Sequence, residues 1–180
     1  MSIGFKEWAL VCSALGSGGQ SIILRKGGIA EGREGFRFQH PEFLLFPTLF
    51  HEQVAKLKLP KDTPLPFSTT DSHTLTHKVR VDWTRDLTDW EQISRLDPFH
   101  LWSPQTIRER FEYNGHNGIS LAFVRVFVLD TPIRFPDSPK YGGCRSWVSI
   151  PADAAPLTAK PVLSDAEHSA REASVFNALC

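Results

Sequence analysis

The sequence predicts an α+β fold in which a small curled antiparallel sheet, or a small β-barrel, is flanked by helices. About six strand-like segments occur with only a few helical segments between them, and the two kinds do not alternate regularly. Regular alternation would favour a doubly wound parallel sheet. The 180 residues, of which 41% are hydrophobic, are enough for one core, so we assign residues 1–180 to a single globular domain.

Four elements are predicted in the first quarter of the chain. A helix that ends at Gly16 is indicated by apolar residues at helical spacing, namely Phe5, Trp8, Ala9, Cys12 and Leu15. Residues 21–24 are a short β-branched and aliphatic run between glycines and predict a buried strand. Alternation over residues 35–39 predicts a half-exposed strand, and the apolar run 43–46 predicts another strand that Pro47 ends.

The middle of the chain contains a polar excursion and then regular structure. Residues 59–76 are rich in proline, threonine and serine, which is typical of a surface loop. Residues 78–83 alternate and predict a strand, and residues 88–96 predict a helical segment that Asp97-Pro98 ends. Ser103-Pro104 is a helix start, with a capping hydroxyl and proline at the first helical position, for a helix to about Phe111.

The last third predicts a central strand, a final strand and a helix. Residues 119–129 are almost continuously apolar, as in a central strand, and their single charge, Arg125, requires a partner or a hydrated face. Glycines before residues 147–150 indicate a bend ahead of a final strand. The capping box that begins at Ser164 predicts a C-terminal helix over residues 164–178.

Composition limits the possible partners. Twenty basic and twenty acidic residues cancel, so a nucleic acid would have to be held by a local basic patch. The three cysteines are odd in number and lack metal-binding spacing, which is typical of reduced thiols in a cytoplasmic protein. No segment approaches the roughly 18 apolar residues that a membrane span requires, and no secretory signal is evident, so we expect no membrane partner. The sequence does not indicate an oligomeric state.

The densest group of candidate binding residues follows the strand at 21–24. Arg25 and Lys26 emerge where that strand ends, and Gly27 and Gly28 would let the backbone approach a ligand closely. Arginine offers a planar fork to phosphate, and lysine offers a point charge. The alternative is a solvated strand end that leads into a turn.

Two histidines beside carboxylates form the next group. His40 lies near Glu42, and His51 precedes Glu52, so the group could supply a base or half of a metal site. No diagnostic metal-binding spacing is present, so we predict no metal and no cofactor, and local hydrogen bonding is the alternative. Tryptophan side chains could stack a base or belong to the core; the tryptophans considered are Trp83, Trp90, Trp102 and Trp147.

Several motifs together resemble the bacterial family catalogued as domain of unknown function 1802. They lie in residues 5–9, 24–29, 43–48 with His51, 142–147 and 161–165, so the similarity covers nearly the whole chain. The resemblance implies a cytoplasmic protein and supplies no established activity. With the preceding groups, the candidate ligand-binding residues are Arg25, Lys26, Gly27, Gly28, His40, Thr48, His51, Arg145 and Trp147.

A second resemblance is to the PUA-like superfamily, particularly its ASCH and EVE domains, which are small barrels associated with RNA or modified nucleobases. The order of elements is similar, and the ASCH pattern at the first strand falls here on Gly19, Gln20, Ser21, Ile23 and Arg25. The glycine, the hydroxyl and the arginine are retained, whereas Gln20 and Ile23 replace charged residues. This departure disfavours the amidohydrolase chemistry of some ASCH-like proteins and favours binding.

Two classes of function follow from these residues. The first is a non-catalytic binding module for RNA or a modified nucleobase, in which Arg25, Lys26 and Arg145 share one pocket and an aromatic ring stacks. The alternative is a metal-dependent hydrolase or nuclease acting on nucleic acid or nucleotides. Its divalent cation would be held by Glu42, Glu52 or Asp82, and proton transfer would be assisted by Lys26 or His51. The loop at 59–76 could also be an interaction surface.

Overall fold

The computed structural model describes residues 2–26, 36–49, 52–65, 71–115, 117–151 and 157–180. These residues form a mixed α+β structure, as predicted. The strands are β1 (Ser2–Trp8), β2 (Ile22–Arg25), β3 (Glu42–Thr48), β4 (Ser72–Leu87), β5 (Ile119–Pro136), β6 (Trp147–Ile150) and β7 (Ala159–Pro161). The helices are α1 (Ala9–Gly16), α2 (Trp90–Arg95), α3 (Pro104–Glu112) and α4 (Asp165–Leu179).

The strands form one curled sheet in the order β2-β5-β4-β3-β1-β6, and β7 also pairs with β5. Every pair is antiparallel except β1 with β3, which are parallel. Within the described residues β2 and β6 end the sheet without pairing to each other, so the curled-sheet form of the prediction applies and not the closed barrel. The register of β4 on β5 shifts at two places, and such bulges bend and twist a long strand pair.

The sheet is buried on both faces at β3, and this explains why the sequence of β3 is continuously apolar. Phe43 and Leu45 belong to the main hydrophobic cluster, whereas Leu44 and Phe46 belong to a second one. Because successive side chains of a strand point to opposite faces, the two clusters lie on opposite sides of the sheet. The strand continues past Pro47 and ends at Thr48.

The predicted N-terminal helix is wrong in its first half. Residues 2–8 form β1, which pairs with both β3 and β6, and only α1 is helical. The two-sided sheet pairing outweighs the helical spacing of Phe5 and Trp8. Gly18 and not Gly16 takes the left-handed conformation, with φ of 75°. Gly16 instead makes room for a neighbour, because a Cβ there would lie 2.6 Å from the imidazole of His77.

Two further expectations differ from the structure. Residues 36–39 are not a strand, and Phe36 packs instead against the ring of Phe5, with ring centroids 5.9 Å apart. The polar excursion is shorter than 59–76, because β4 begins at Ser72. The strands predicted at 21–24, 78–83, 119–129 and 147–150 are confirmed as β2, part of β4, part of β5 and β6.

Helices α3 and α4 begin where their capping residues predict. Ser103 accepts a hydrogen bond from the backbone N–H of Thr106, and Ser164 forms a complete capping box with Glu167. Helix α2 lies within the predicted segment 88–96. Arg125 has the partner that its position requires, because its guanidinium donates to Asp165 at the start of α4.

Across the described residues no helix is long and apolar enough to cross a membrane. The assignment of one domain to residues 1–180 stays a prediction.

Candidate functional site

A cleft of about 340 Å³ opens where β2 ends. Its walls come from the end of β2, one face of α3, a short 3₁₀ turn at Val54–Lys56 and the segment that precedes β6. Four of the described lining residues are cationic, namely Arg25, Lys26, Lys56 and Arg110. The carboxylate of Glu109 is the single acidic group among the described lining residues.

Arg25 is held in a fixed position by the strand beside it. Its Nη1 atom lies 3.4 Å from Oε2 of Glu7, a carboxylate that is 1% exposed. Its Nη2 atom donates to the carbonyl of Lys6 at 2.9 Å and to Oγ of Ser146 at 3.4 Å. The guanidinium also lies 4.9 Å from the ring centroid of Phe5. Arg25 is therefore a preorganised charge at the base of the cleft.

Lys26 connects the end of β2 to the last turn of α3 and to the segment that precedes β5. Its ammonium donates to the carbonyl of Phe111 at 3.2 Å and to that of Gly118 at 2.9 Å. Burial lowers the pKa of Lys26 from its usual value, because desolvation disfavours the charged form. Much of its hydrogen-bonding capacity therefore serves the fold, and its charge still contributes to the cleft.

Arg110 is the cation in the cleft with the largest unused donor capacity. Its guanidinium lies 3.6 Å from the ring centroid of Trp102 and 5.5 Å from that of Trp8. Among the described residues its only hydrogen bond goes to the carbonyl of Leu24, at 3.5 Å. Desolvation lowers the pKa of Arg110 to about 10, so the side chain stays charged at neutral pH. Arginine has five N–H donors, and most of these remain for a ligand.

Lys56 and Tyr113 complete the open rim of the cleft. The ammonium of Lys56 has no hydrogen-bond or ion-pair partner in the part of the chain that the structure describes, and its side chain is half-buried. Tyr113 follows α3, and its side chain is 42% exposed at the cleft. An exposed ring beside free cations can stack a planar group while the cations bind an anion.

The residues predicted to share one pocket are partly brought together. Arg25 and Lys26 both line the cleft. Arg145 stands between the lining residues Cys144 and Ser146, but its own exposed side chain does not line the cleft. The structure therefore brings Arg25 and Lys26 together with the segment of Arg145 but not with the Arg145 side chain, and the role of these residues stays a prediction.

The other predicted binding residues lie elsewhere or outside the described chain. Trp147 is half-buried, with its ring centroid 4.8 Å from that of Phe5, and His40 contacts it edge-on at 4.9 Å. Thr48 donates to the carbonyl of Glu7 at 3.1 Å and lines a second cleft. Three further candidates, Gly27, Gly28 and His51, lie outside the described residues.

Two of the three acidic residues named for a hydrolase, Glu42 and Asp82, have other partners, and Glu52 does not line the cleft. Glu42 forms an ion pair with Lys78 at 2.9 Å. Asp82 accepts from Arg80 at 2.9 Å and lies 2.6 Å from Nε2 of His168, which attaches α4 to the sheet. Within the described ranges no three His, Cys, Asp or Glu side chains are grouped as metal ligands.

Sequence reasoning missed Arg110, Lys56, Glu109 and Tyr113. Thr106, Glu109 and Arg110 are spaced i, i+3 and i+4, which places them along one side of α3, and Tyr113 caps the end of that helix. That spacing was readable, but nothing local shows that this side of the helix faces the end of β2. The approach of Lys56 depends on long-range packing, which no short motif encodes.

A second cleft, of about 270 Å³, lies between the end of β3 and the segment that follows β5. His73 and Asp137 face each other there at 2.7 Å, and this hydrogen bond lowers the pKa of Asp137. Lys6 donates to the carbonyls of Tyr141 and Gly143, both at 2.7 Å. These contacts fix the segment that forms one wall of the first cleft.

Comparisons with known proteins give one family and a similarity to solved structures. The family profile described as Domain of unknown function (DUF1802) matches residues 4–174. No curated protein has a sequence that matches this chain. The crystal structure of ASCH from Zymomonas mobilis is similar, with a TM-score of 0.46 and 13% identity over 96% of this chain and 93% of that one. A single-substitution mutant of that protein gives a TM-score of 0.46 and 14% identity, over 96% of each chain.

Proposed function

Because the chain belongs to the family described as Domain of unknown function (DUF1802), whose description gives no activity, we propose a function from the cleft itself: a non-catalytic binding module for RNA or a modified nucleobase. One observation carries the proposal. Four cations converge on a single cleft in a protein whose net charge is zero. Four positive side chains at one place in an otherwise neutral chain favour an anionic ligand that binds in this cleft.

The cations divide into two kinds of contribution. Arg25 and Lys26 are fixed by protein acceptors and supply positive potential at the base of the cleft. Arg110 and Lys56 have donors that no described residue accepts from, and these would contact phosphate oxygens directly. A fixed background charge and unused donors together favour a phosphate without specifying a sequence.

Tyr113 supplies the second kind of contact. Its exposed ring lies on the same cleft as the free donors of Arg110 and Lys56. Base stacking on an aromatic ring contributes about 1–3 kcal/mol per base and tolerates any base. A phosphate and a planar base within a cleft of about 340 Å³ correspond in size to one nucleotide of a single strand.

The hydrolase alternative is not favoured by the arrangement. Its proposed ligands Glu42 and Asp82 each form ion pairs with cationic side chains, and none of Glu42, Glu52 and Asp82 lines the cleft. We retain a cytoplasmic location as part of the proposal, because it follows from the sequence and the three free cysteines agree with it.

The test is fluorescence anisotropy with a labelled single-stranded RNA of mixed sequence at low salt. We expect Arg110→Ala and Lys56→Ala each to weaken binding about ten-fold, since a charged hydrogen bond contributes roughly 1.5–3 kcal/mol. Arg108→Ala is the matched control, because Arg108 lies on the same helix, is ion-paired with Glu112 and does not line the cleft.

Because Arg110 stacks on Trp102, its replacement could also weaken the fold, and Lys56→Ala provides an independent variant on a short 3₁₀ turn. Thermal unfolding of each variant separates the two effects. Binding that is absent in the wild type, or lost equally in the Arg108→Ala control, would contradict the proposal.

A further inference from the structure

Glu109 is the least expected residue of the cleft, since it places a carboxylate where an anion would bind. It lies on the cleft side of α3, and its side chain is exposed. Its only hydrogen bond among the described residues comes from the side-chain amide of Gln105, which donates to Oε1 at 2.9 Å. It forms no ion pair in the described part of the chain, although Arg110 is its neighbour in sequence.

A carboxylate in this position reduces the affinity of the cleft for phosphate, because like charges repel. A ligand made of phosphate alone would therefore bind better without it. The same carboxylate is a strong acceptor for N–H groups, and its Oε2 atom has no donor among the described residues. The cleft thus suits a ligand that carries an anion at one end and N–H donors at the other.

Resting on the proposed RNA-binding function, we infer that Glu109 reads the base that stacks on Tyr113 and selects guanine. Guanine presents two adjacent donors, the ring N1–H and the exocyclic N2 amino group, to the two oxygens of a carboxylate. Uracil presents one N–H between two carbonyl oxygens, which would face the carboxylate and repel it. Adenine and cytosine each present one amino donor beside a ring-nitrogen acceptor, so we expect their affinity for the carboxylate to lie between those of guanine and uracil.

The positions on α3 agree with this division of roles. Glu109 lies on α3 and Tyr113 caps the C-terminal end of that helix, and both residues line the same cleft. Arg110 follows Glu109 and directs its guanidinium over Trp102. The base would therefore meet Glu109 and Tyr113, and the phosphate would meet Arg110 and Lys56.

The experiment uses four labelled RNAs of about seven nucleotides, each a uridine strand with G, A, C or U at its centre. Isolated guanines in this background avoid self-association of G-rich strands. We expect the full-length wild-type protein to bind the G strand about five-fold or more tightly than the all-U strand, the lower end of the discrimination typical of a bidentate base contact. The A and C strands should fall between them.

Glu109→Gln gives the decisive comparison, because it keeps the shape of the side chain and removes its charge. We expect the preference for G to fall below about two-fold and the affinity for the all-U strand to rise, since a repulsive charge has gone. Glu112→Gln removes an equal charge from the same helix outside the cleft and should change neither value.

The outcomes separate this inference from the function on which it rests. Equal binding of all four strands by the wild type, or a G preference that survives in Glu109→Gln, overturns the role of Glu109 while Arg110-dependent binding still stands. If the wild type retains none of the four strands, the RNA-binding proposal fails and the inference fails with it.

Discussion

Glu7 does not line the cleft, but its carboxylate holds Arg25, which does. Its carboxylate is buried, accepts from the backbone N–H of Trp8 at 2.8 Å and forms an ion pair with Arg25. A buried carboxylate is stable only with a cation or several donors close by. The position of Arg25, which sets the charge at the base of the cleft, therefore depends on a residue of the neighbouring strand.

We predict that Glu7→Gln lowers the free energy of unfolding by about 2–3 kcal/mol. Removing one partner of a buried ion pair typically costs 3–5 kcal/mol, and Arg25 retains the carbonyl of Lys6 and some exposure to water, so the effect should be smaller. Urea denaturation measures it. Glu112→Gln breaks an exposed pair on α3 and should change the same quantity by less than about 0.5 kcal/mol; equal losses would contradict the argument.

The lowered pKa of His100 should make the stability of the fold depend on pH. Burial lowers its pKa to about 4, with Lys58 and Arg110 acting in the same direction and Asp97 opposing them. Its Nδ1 atom is buried without a hydrogen-bond partner in the described residues. Between about pH 6.5 and pH 4 the unfolded chain binds a proton that the folded protein does not, so His100 stabilises the fold at neutral pH and this contribution declines on acidification.

We expect the contribution of His100 to fall by about 2 kcal/mol between roughly pH 7 and pH 5. Urea unfolding of the wild type and of His100→Gln at the two pH values measures it. The variant should lose less stability over this interval than the wild type, because it has no imidazole to titrate. Parallel losses in the two proteins would show that His100 does not carry the effect.

Helix α4 covers the sheet through side chains at several points along its length. Trp83 donates to Glu172 at 2.9 Å, His168 meets Asp82 at 2.6 Å, and Arg171 donates to the carbonyls of Gly18 and Gly19. The apolar residues Val175 and Leu179 extend the main core at its far end. Because the helix is attached throughout, its first turn contributes to the stability of the whole sheet.

We predict that Ser164→Ala lowers the free energy of unfolding by about 1 kcal/mol, because it removes the side chain of the capping box. Chemical denaturation measures the change. Ser174→Ala is the matched control, since Ser174 lies within α4 and donates only to the carbonyl of Ala170. A loss as large in the control would show that the effect is not one of capping.

The elements that sequence reasoning predicted well are those whose signals are local. Ser103 and Ser164 begin their helices because a hydroxyl satisfies free N–H groups within three residues. In contrast, the first half of the predicted N-terminal helix is β1. The helical spacing of Phe5 and Trp8 is a local signal, whereas the pairing of β1 with β3 and β6 depends on residues far away in the sequence. The site divides in the same way: Arg25 and Lys26 follow a recognisable strand, whereas Arg110 and Lys56 reach the cleft only through packing.

The whole protein combines zero net charge with an uneven distribution of that charge. The cationic cleft gathers four positive side chains, and other acids and bases pair with each other on the sheet and on α4. A neutral protein attracts RNA weakly over long distances, because it has no global positive field. Any affinity for RNA must therefore arise within about one Debye length of the cleft, roughly 10 Å at moderate salt.

This locality predicts a shallow but measurable salt dependence of RNA binding. For single strands the slope of log K against log salt is about −0.7 for each phosphate neutralised, so contacts by two to four cations give a slope between roughly −1.4 and −2.8. Arg110→Ala should make the slope less negative by about 0.7, and Arg108→Ala should leave it unchanged. Anisotropy titrations at several salt concentrations measure both values. A slope near zero would mean that stacking and not phosphate contact holds the ligand, and a steeper slope than four contacts allow would place part of the strand outside the cleft.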